Sequence, residues 1–315
     1  MPTPSDYHVN ALLTNFAIEK GVGGAFAADL IYPVIPVKKE SDTYWSYPSP
    51  ELRDDVDALR AAGDMAKEVD WKPTTATYSA KEYALRRALP WRALDNADDP
   101  NRVKMETVRK LVHKIRLGIE KRIKSVVMST TYITNNTSPS VKWDASSGTI
   151  NIEGNIDAAK EAVVAACGHE PNVIVIPPAV ARVVKRNSTL RDLVRYTDPK
   201  LLINGDLPPV LFNLRVVIPG AIELTSNPAQ TDSIARIWST DNVLVAYVDD
   251  ALDTESITLG KQFRVKKRMQ GDDLPIMVRE YENTEREATF IEVSVIQDEK
   301  LVSAACGYLL TDVLT

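Results

Sequence analysis

The stretch ADLIYPVIPVKKESDTYWSYPSPELR, residues 28–53, is too apolar for a free tail and too interrupted by proline for a helix. Pro33, Pro36, Pro48 and Pro50 each remove a backbone donor and push the preceding residue toward extended conformations. The stretch must therefore run as strand or polyproline-like chain, and it cannot coil into a core of its own. Fully extended, about 25 residues reach about 80 Å, whereas the remaining residues, about 270, would form a body about 50 Å across. Ordering such an arm costs on the order of 25–50 kcal/mol of backbone entropy, which calls for on the order of 1,000–2,000 Å² of apolar burial. The sequence leads us to expect that area on a neighbouring molecule. Leu30, Ile31, Tyr32, Val34, Ile35, Val37, Tyr44, Trp45 and Tyr47 are the side chains expected to be buried there. Removing residues 1–45 should then leave a folded body.

At 315 residues the chain exceeds the usual size of a single core and suggests two domains with an appendage. No apolar run approaches the roughly 20 residues of a membrane helix. The opening Met-Pro-Thr-Pro-Ser-Asp lacks the basic and apolar regions of a signal peptide, so cytoplasmic synthesis and no membrane contact are expected. With Cys167 and Cys306 the only cysteines, and His8, His113 and His169 the only histidines, no zinc-type spacing exists. Both thiols read as reduced core residues. Lys plus Arg is 38 against 43 for Asp plus Glu, a net charge of −5, so any nucleic-acid contact must be local rather than the main source of affinity.

Val9, Leu12, Leu13 and Phe16 have helical spacing, predicting a short amphipathic helix over Tyr7–Lys20 that stops at GVGG, residues 21–24. Residues 49–92 have nearly balanced charge, few large aliphatics and a Thr- and Tyr-rich alternating half, a pattern that predicts a long exposed hairpin supported from outside. From Asn101 to Met128, Val108, Leu111, Val112, Ile115, Ile119, Ile123 and Val126 form one helical stripe, with Asp98 or Asp99 as cap and Pro100 in the first turn. A polar loop over 129–149 marks a domain boundary. Residues 150–225 then read as α/β: a helix over Ile156–Cys167 capped by Asn155 and stopped by Gly168, a strand Val173–Ile176, and helices beginning at Pro178 and Ser188. Strands Leu214–Ile218 and Val243–Val248 would complete the sheet. The C-terminal EATFIEVSVIQDEKLVSAACGYLLTDV predicts an antiparallel hairpin turning at Gln297–Lys300.

Enzymatic chemistry finds little support. Asp54, Asp55 and Asp57 in RDDVD could gather oxygen ligands for a hard cation, and a metal-dependent enzyme is the alternative of another class. Arg53 and Arg60 flank that run, however, and a solvated acidic face explains it as well. GVGG lacks a preceding strand and the wider dinucleotide fingerprint. At the strand-to-helix turn of VIVIPPAV, Pro177 and Pro178 stand where a phosphate-binding loop needs N–H donors. Cys167 and His169 lie at a helix end without a third group to orient the imidazole. No catalytic residue, metal or cofactor is expected. The long helix carries a surplus of positive charge instead: Arg109, Lys110, Lys114, Lys121 and Lys124, with Arg102 and Arg116, against Glu106 and Glu120. Each glutamate can pair with bases four residues away, Arg102 and Lys110 for Glu106, Arg116 and Lys124 for Glu120. The remaining charge can meet acidic protein neighbours or nucleic-acid phosphates, and the many acids of a net-negative subunit favour the former.

Taken in order, NALLTNFAIEKG with FAADLIYPVIPVKKESDTYWSY, then INIEGNIDAAKEAVVAACGHEPNVIVIPPAVARVVKRNSTLRDLVRY, and finally IEVSVIQDEKLVSAACGYLLTDV, the chain resembles tailed-bacteriophage major capsid proteins of the Hong Kong 97 type over nearly its whole length. The resemblance implies an α+β fold with an N-arm (1–48), an E-loop (49–92), a P-domain spine helix and following loop (93–149), an α/β A-domain (150–255) and P-domain β-strands (256–315). It implies self-assembly into the hexamers and pentamers of an icosahedral head, located in the virion and assembled in the host cytoplasm. Implied partners are a portal, packaged double-stranded DNA held without sequence preference, and in some cases a decoration protein. The chain begins near the N-arm, so a separate scaffolding protein is also expected. Lys67, Lys72, Lys81 and Asn283 match no crosslinking motif, and no covalent chemistry is expected of them. The alternative within the fold is an encapsulin-type compartment shell.

Overall fold

The computed structural model describes residues 8–9, 26–46, 59–60, 63, 65–68, 74–195, 207–226, 233–251, 253, 256–269, 272–274 and 276–315. In chain order, β1 (His8–Val9) and the single helical turn α1 (Ala28–Ile31) precede β2 (Val34–Val37), β3 (Ser41–Ser46), β4 (Thr74–Ser79) and β5 (Lys81–Pro90). Two helices follow, α2 (Trp91–Asp95) and the long α3 (Pro100–Val127), then β6 (Asn136–Thr137), α4 (Ile152–Cys167), β7 (Val173–Val175), α5 (Pro178–Val184) and α6 (Ser188–Arg195). The remaining elements are strands: β8 (Val210–Leu211), β9 (Leu214–Val217), β10 (Ile222–Leu224), β11 (Ile234–Arg236), β12 (Val243–Ala246), β13 (Gly260–Val265), β14 (Lys267–Met269), β15 (Asp272–Leu274), β16 (Met277–Asn283), β17 (Ala288–Leu301) and β18 (Gly307–Leu310).

The spine helix α3 begins where the sequence places it. Asp99 is the cap, its Oδ1 accepting from the N–H groups of Asn101 (3.0 Å) and Arg102 (3.2 Å), with Pro100 in the first turn, where its missing donor costs nothing. At 28 residues it is about 42 Å long. Its apolar stripe serves two cores. Val108, Leu111 and Val112 pack with Leu89, Val278, Ile291 and Val293, whereas Ile119, Ile123 and Val127 pack with Ala28, Ile31, Val163, Leu244 and Trp238.

One six-stranded sheet has the order β1-β16-β17-β13-β2, with β5 on the far edge of β17. β17 runs unbroken for 14 residues through the segment predicted to be a turn. The polar run Gln297–Lys300 is held as strand because β13 supplies its ladder, Arg264 facing Gln297 and Gly260 facing Leu301, and because Gln297 has buried partners for its amide. The predicted C-terminal hairpin is therefore wrong. β18 instead joins the second six-stranded sheet, β6-β18-β12-β7-β9-β8, so Gly307–Leu310 complete the α/β unit rather than the spine-helix sheet. In that sheet β7 and β12 are buried on both faces: Ile174, Val243 and Val245 enter one core, and Val173, Val175, Leu244 and Ala246 enter the other.

Within the α/β unit the predicted helices and strands are present within a few residues, but α4 starts earlier. Asn151, not Asn155, is the cap: its Oδ1 accepts from Gly154 N–H at 2.9 Å. A Cβ on Gly154 would lie 2.3 Å from the Asn151 amide, so glycine is what admits this cap. Gly168, at φ 76°, ends the helix as expected. Near the N-terminus, His8 and Val9 pair with Glu280 and Arg279 as strand rather than helix, extending the open edge of β16; the rest of the predicted helix over 7–20 lies outside the described residues.

The arm departs most from expectation. Ile31, Tyr32, Ile35, Val37 and Tyr44 are buried within their own chain, Leu30 and Val34 partly so. β2 lies parallel to β13, Val34 opposite Gln262 and Val37 opposite Val265, on a sheet edge where the missing donor of Pro36 is tolerated. β3 and β4 form an antiparallel ribbon from Ser41 opposite Ser79 to Ser46 opposite Thr74. Its Tyr44 and Tyr78 close over Phe263, ring centroids 5.1 and 4.6 Å away. A neighbour is thus not needed to cover these residues, because β13 offers an open edge and the spine helix an apolar flank within the same subunit. The side chain of Trp45, and Tyr47 altogether, lie outside the described residues. Residues 81–90, expected in an exposed hairpin, are mostly exposed as β5, but they are supported within the chain, paired along β17 from Lys81–Gln297 to Pro90–Ala288.

Candidate assembly interface

The arm, the spine helix and the α/β unit meet at Glu120. This residue adjoins Ile119 on the apolar flank of α3 and is completely buried. Its Oε1 accepts from Ala27 N–H at 3.0 Å and from Trp238 Nε1 at 2.7 Å, and its Oε2 accepts from Ala28 N–H at 2.9 Å. One carboxylate thereby satisfies donors at the start of α1 and the indole of the α/β unit. Burial pushes its pKa above the ordinary carboxylate value, while the three donors pull the other way. The predicted pairing of Glu120 with Arg116 and Lys124 is not formed, since Glu120 points inward.

Arg116 instead pairs with Asp29 of α1 and lies 4.9 Å over the ring of Phe26. Gln262 on β13 donates to Asp29 Oδ1 at 3.1 Å and to the carbonyl of Tyr32 at 2.8 Å. Next along the sheet, Arg264 donates through Nε to Gln297 Oε1 at 3.1 Å, and burial lowers its pKa. Arg122 forms a two-pronged pair with Glu299 at 2.9 and 2.7 Å and covers the ring of Tyr83 on β5 at 4.0 Å. A continuous polar seam runs from α1 across α3 and β13 to β17 and β5. Sequence reasoning missed it; the available signal was a set of long polar residues, Glu120, Gln262, Arg264 and Gln297, inside otherwise apolar elements.

The basic face is partly consumed by the subunit itself. Lys104 pairs with Glu280 at 2.5 Å, and Lys121 pairs with Glu223 of β10. Glu106 holds Arg109 at 3.6 Å and Lys110 at 3.9 Å, rather than Arg102 and Lys110. Arg109, Lys110 and Lys114 remain exposed on consecutive turns, and Lys124 is half-buried.

The apolar surface is concentrated elsewhere. Of nine large hydrophobic residues exposed among the described residues, five fall between Val210 and Ile234. β10 and β11 form a two-stranded ribbon attached to neither large sheet. Strand alternation puts Glu223, held by Lys121, on one face of β10 and Ile222 and Leu224 on the other, where Leu224 stands opposite Ile234. These three side chains are 50%, 56% and 68% exposed.

Asp54, Asp55, Asp57 and GVGG lie outside the described residues, and among the described residues no group of three His, Cys, Asp or Glu could hold a metal ion. Cys167 donates to the carbonyl of His169 at 3.7 Å, and the imidazole stacks on Tyr247 at 4.8 Å, so thiol and imidazole do not form a couple. No helix among the described residues is long and apolar enough to cross a membrane.

No protein-family model matches this sequence, and no curated protein matches it either. Solved structures do. A phage-related protein from Bordetella bronchiseptica RB50 superposes with a TM-score of 0.70 at 18% identity, covering 98% of each chain. The mature capsid of bacteriophage PhiM1 gives 0.56 at 8% identity, over 89% of this chain and 85% of that one. A virus-like particle from Pyrococcus furiosus gives 0.52 at 10% identity, over 95% and 97%. Identities this low speak to fold alone, and the likeness extends over 89% or more of this chain in each case: the chain has the Hong Kong 97-type fold of tailed-bacteriophage major capsid proteins.

Proposed function

We propose that this chain is the major capsid protein of a tailed double-stranded DNA bacteriophage, assembling with copies of itself into hexamers and pentamers of an icosahedral head. The observation that carries this reading is the likeness in fold to a mature phage capsid over 89% of this chain, with a TM-score of 0.56. The subunit also presents a surface suited to such a role: the β10–β11 ribbon offers an apolar face that nothing among the described residues covers. In this reading the protein resides in the virion after assembly in the host cytoplasm. A scaffolding protein and a portal take part in assembly, packaged DNA is held by non-specific phosphate contacts, and a decoration protein can be added outside. Expression of the protein alone and with its scaffolding partner, followed by electron microscopy, tests it. Closed shells are expected; subunits that stay monomeric under both conditions at high concentration would overturn it.

A second reading, an encapsulin-type shell around protein cargo, is favoured by one feature: Lys104, Arg116, Lys121 and Arg122 spend their charge on acids of the same subunit, leaving less for phosphate. Shells isolated from the native source distinguish the two. Nuclease-protected DNA supports the phage head, and a stoichiometric co-purifying protein without DNA supports the compartment.

A further inference from the structure

We propose that the second edge of β5 is a pairing surface for another copy of this chain, the two β5 strands meeting antiparallel across a two-fold axis with Leu85 opposite Leu85. β5 is ten residues long and pairs with β17 along its whole length, and no other strand among the described residues takes its second edge. Eight of its ten side chains are exposed, so little covers either face. Half of its backbone N–H and C=O groups point away from β17. Edges of this length are ordinarily shortened, bulged or covered, because an open ladder recruits another strand. Here the edge is bounded at both ends: Ala80 N–H donates to Glu40 C=O at 2.7 Å, and Pro90 has no N–H to offer. Between them lies an uninterrupted template.

The side chains of β5 select the partner and the register. A two-fold axis normal to the sheet keeps each residue on its own face, so one residue must stand opposite its own copy. Centring on Arg86 or Arg87 sets like charges against each other, and centring on Ala84 sets Lys81 against Arg87. Centring nearer either end leaves most of the edge unpaired. Leu85 as centre avoids all of this. It places Leu85, 39% exposed and the one large apolar side chain left open on β5, against the second copy's Leu85. On the same face Tyr83 meets the second copy's Arg87 and Lys81 meets its Leu89; on the other, Ala84 meets its Arg86 and Glu82 its Ala88. Tyr83 already carries Arg122 over its ring at 4.0 Å, so the ring suits a guanidinium, and Arg87 is exposed. The joined sheet would run from β16 of one copy through β17 and both β5 strands to β16 of the next. This pairing rests on the shell reading only where it names a two-fold joint of the particle; the pair itself forms whether or not shells close.

Residues directly opposite in such a pair have Cα atoms about 4.5–5.5 Å apart, within disulfide reach. The full-length protein carrying Leu85→Cys is oxidised with copper phenanthroline and separated without reductant. The expected result is a dimer linked through position 85, about tenfold above the wild-type background from Cys167 and Cys306, and abolished by dithiothreitol. Tyr83→Cys and Arg87→Cys should each stay unlinked alone, since each stands opposite the other rather than itself, and should link when the two chains are mixed. A Leu85→Cys chain that links no more than wild type, or Arg87→Cys that links to itself, would overturn the pairing, and the mixed chains decide it if Leu85→Cys does not fold. Shells that close normally while no linked dimer forms refute the pairing and leave the shell reading standing. Linked dimers without shells do the reverse.

Discussion

Glu120 of the spine helix accepts a hydrogen bond from Trp238 Nε1 at 2.7 Å while the same carboxylate holds the first turn of the arm. Glu120→Ala leaves three buried donors without an acceptor, at a cost of about 3 kcal/mol or more. Chemical denaturation of the purified subunit measures the loss, and a variant within about 0.5 kcal/mol of wild type would contradict the junction. Glu120→Gln keeps one acceptor oxygen and should fall between the two.

The same carboxyl makes a pH prediction. Its folded pKa is raised, chiefly by burial, so the folded chain binds that proton more tightly than the unfolded chain. Its contribution to stability is therefore fully present at low pH and is lost as pH rises from the ordinary carboxylate range through the raised folded value. Glu120→Gln has nothing to titrate there. The stability difference between wild type and this variant should shift toward the variant across that window, and a difference independent of pH would refute the assignment.

Truncation of residues 1–45 should unfold the body rather than free the arm from it, because Ile31, Tyr32 and Ile35 belong to the subunit's own cores. Circular dichroism of the truncated chain should show no cooperative transition near the wild-type midpoint. As a gentler probe, Ile35→Ala should cost about 3 kcal/mol. A truncated chain that melts like the full one would mean that these contacts add nothing.

Phe263 pins the β3–β4 ribbon through Tyr44 and Tyr78. Phe263→Ala should destabilise the subunit by about 3–5 kcal/mol and release the β3–β4 ribbon, read out as faster amide exchange in both strands than in β17. Unchanged exchange in β3 and β4 would show that the ribbon is held by something else.

On the shell reading, Leu224→Lys with Ile234→Asp should leave subunit stability within about 0.5 kcal/mol, since both side chains face outward and the new charges are opposite, yet sharply reduce the yield of closed shells. Lys121→Gln should also lower shell yield, by freeing Glu223 and the ribbon from the spine helix. Arg109→Gln with Lys114→Gln should alter neither yield nor DNA retention if the basic face meets protein acids. Normal shells that lose their DNA in that last variant would assign these side chains to phosphate contacts.

Local signals were readable and distant partnerships were not. The spine helix, its Asp99 cap and the Gly168 stop follow from 3.6-residue periodicity and from groups a few residues apart. The strands at 173, 214 and 243 stand out as short apolar runs. The arm's cover is invisible in the sequence because Val34 meets Gln262, more than two hundred positions away, and parallel pairing leaves no turn between partners. Gln297–Lys300 looks like a turn by polarity; only Arg264 and Arg122, brought in from other elements, make it a strand with satisfied side chains. Helical spacing puts Glu120 within reach of Arg116 and Lys124, whereas the donors that draw it inward come from Ala27, Ala28 and Trp238, far away in the chain.

The spine helix belongs to two cores at once, Val108 through Val112 in one and Ile119 through Val127 in the other. Rotating one core against the other would shear a continuous ladder of backbone hydrogen bonds, and a helix bends sharply only where proline, a bulge or an inserted group interrupts that ladder. Between Val112 and Ile119 there is no such break. Mechanically, one uninterrupted helix ties the two cores together. Curvature in an assembly of such subunits then falls to the contacts between them, where the β3–β4 and β10–β11 ribbons, each separate from the large sheets, can bend without disturbing either core.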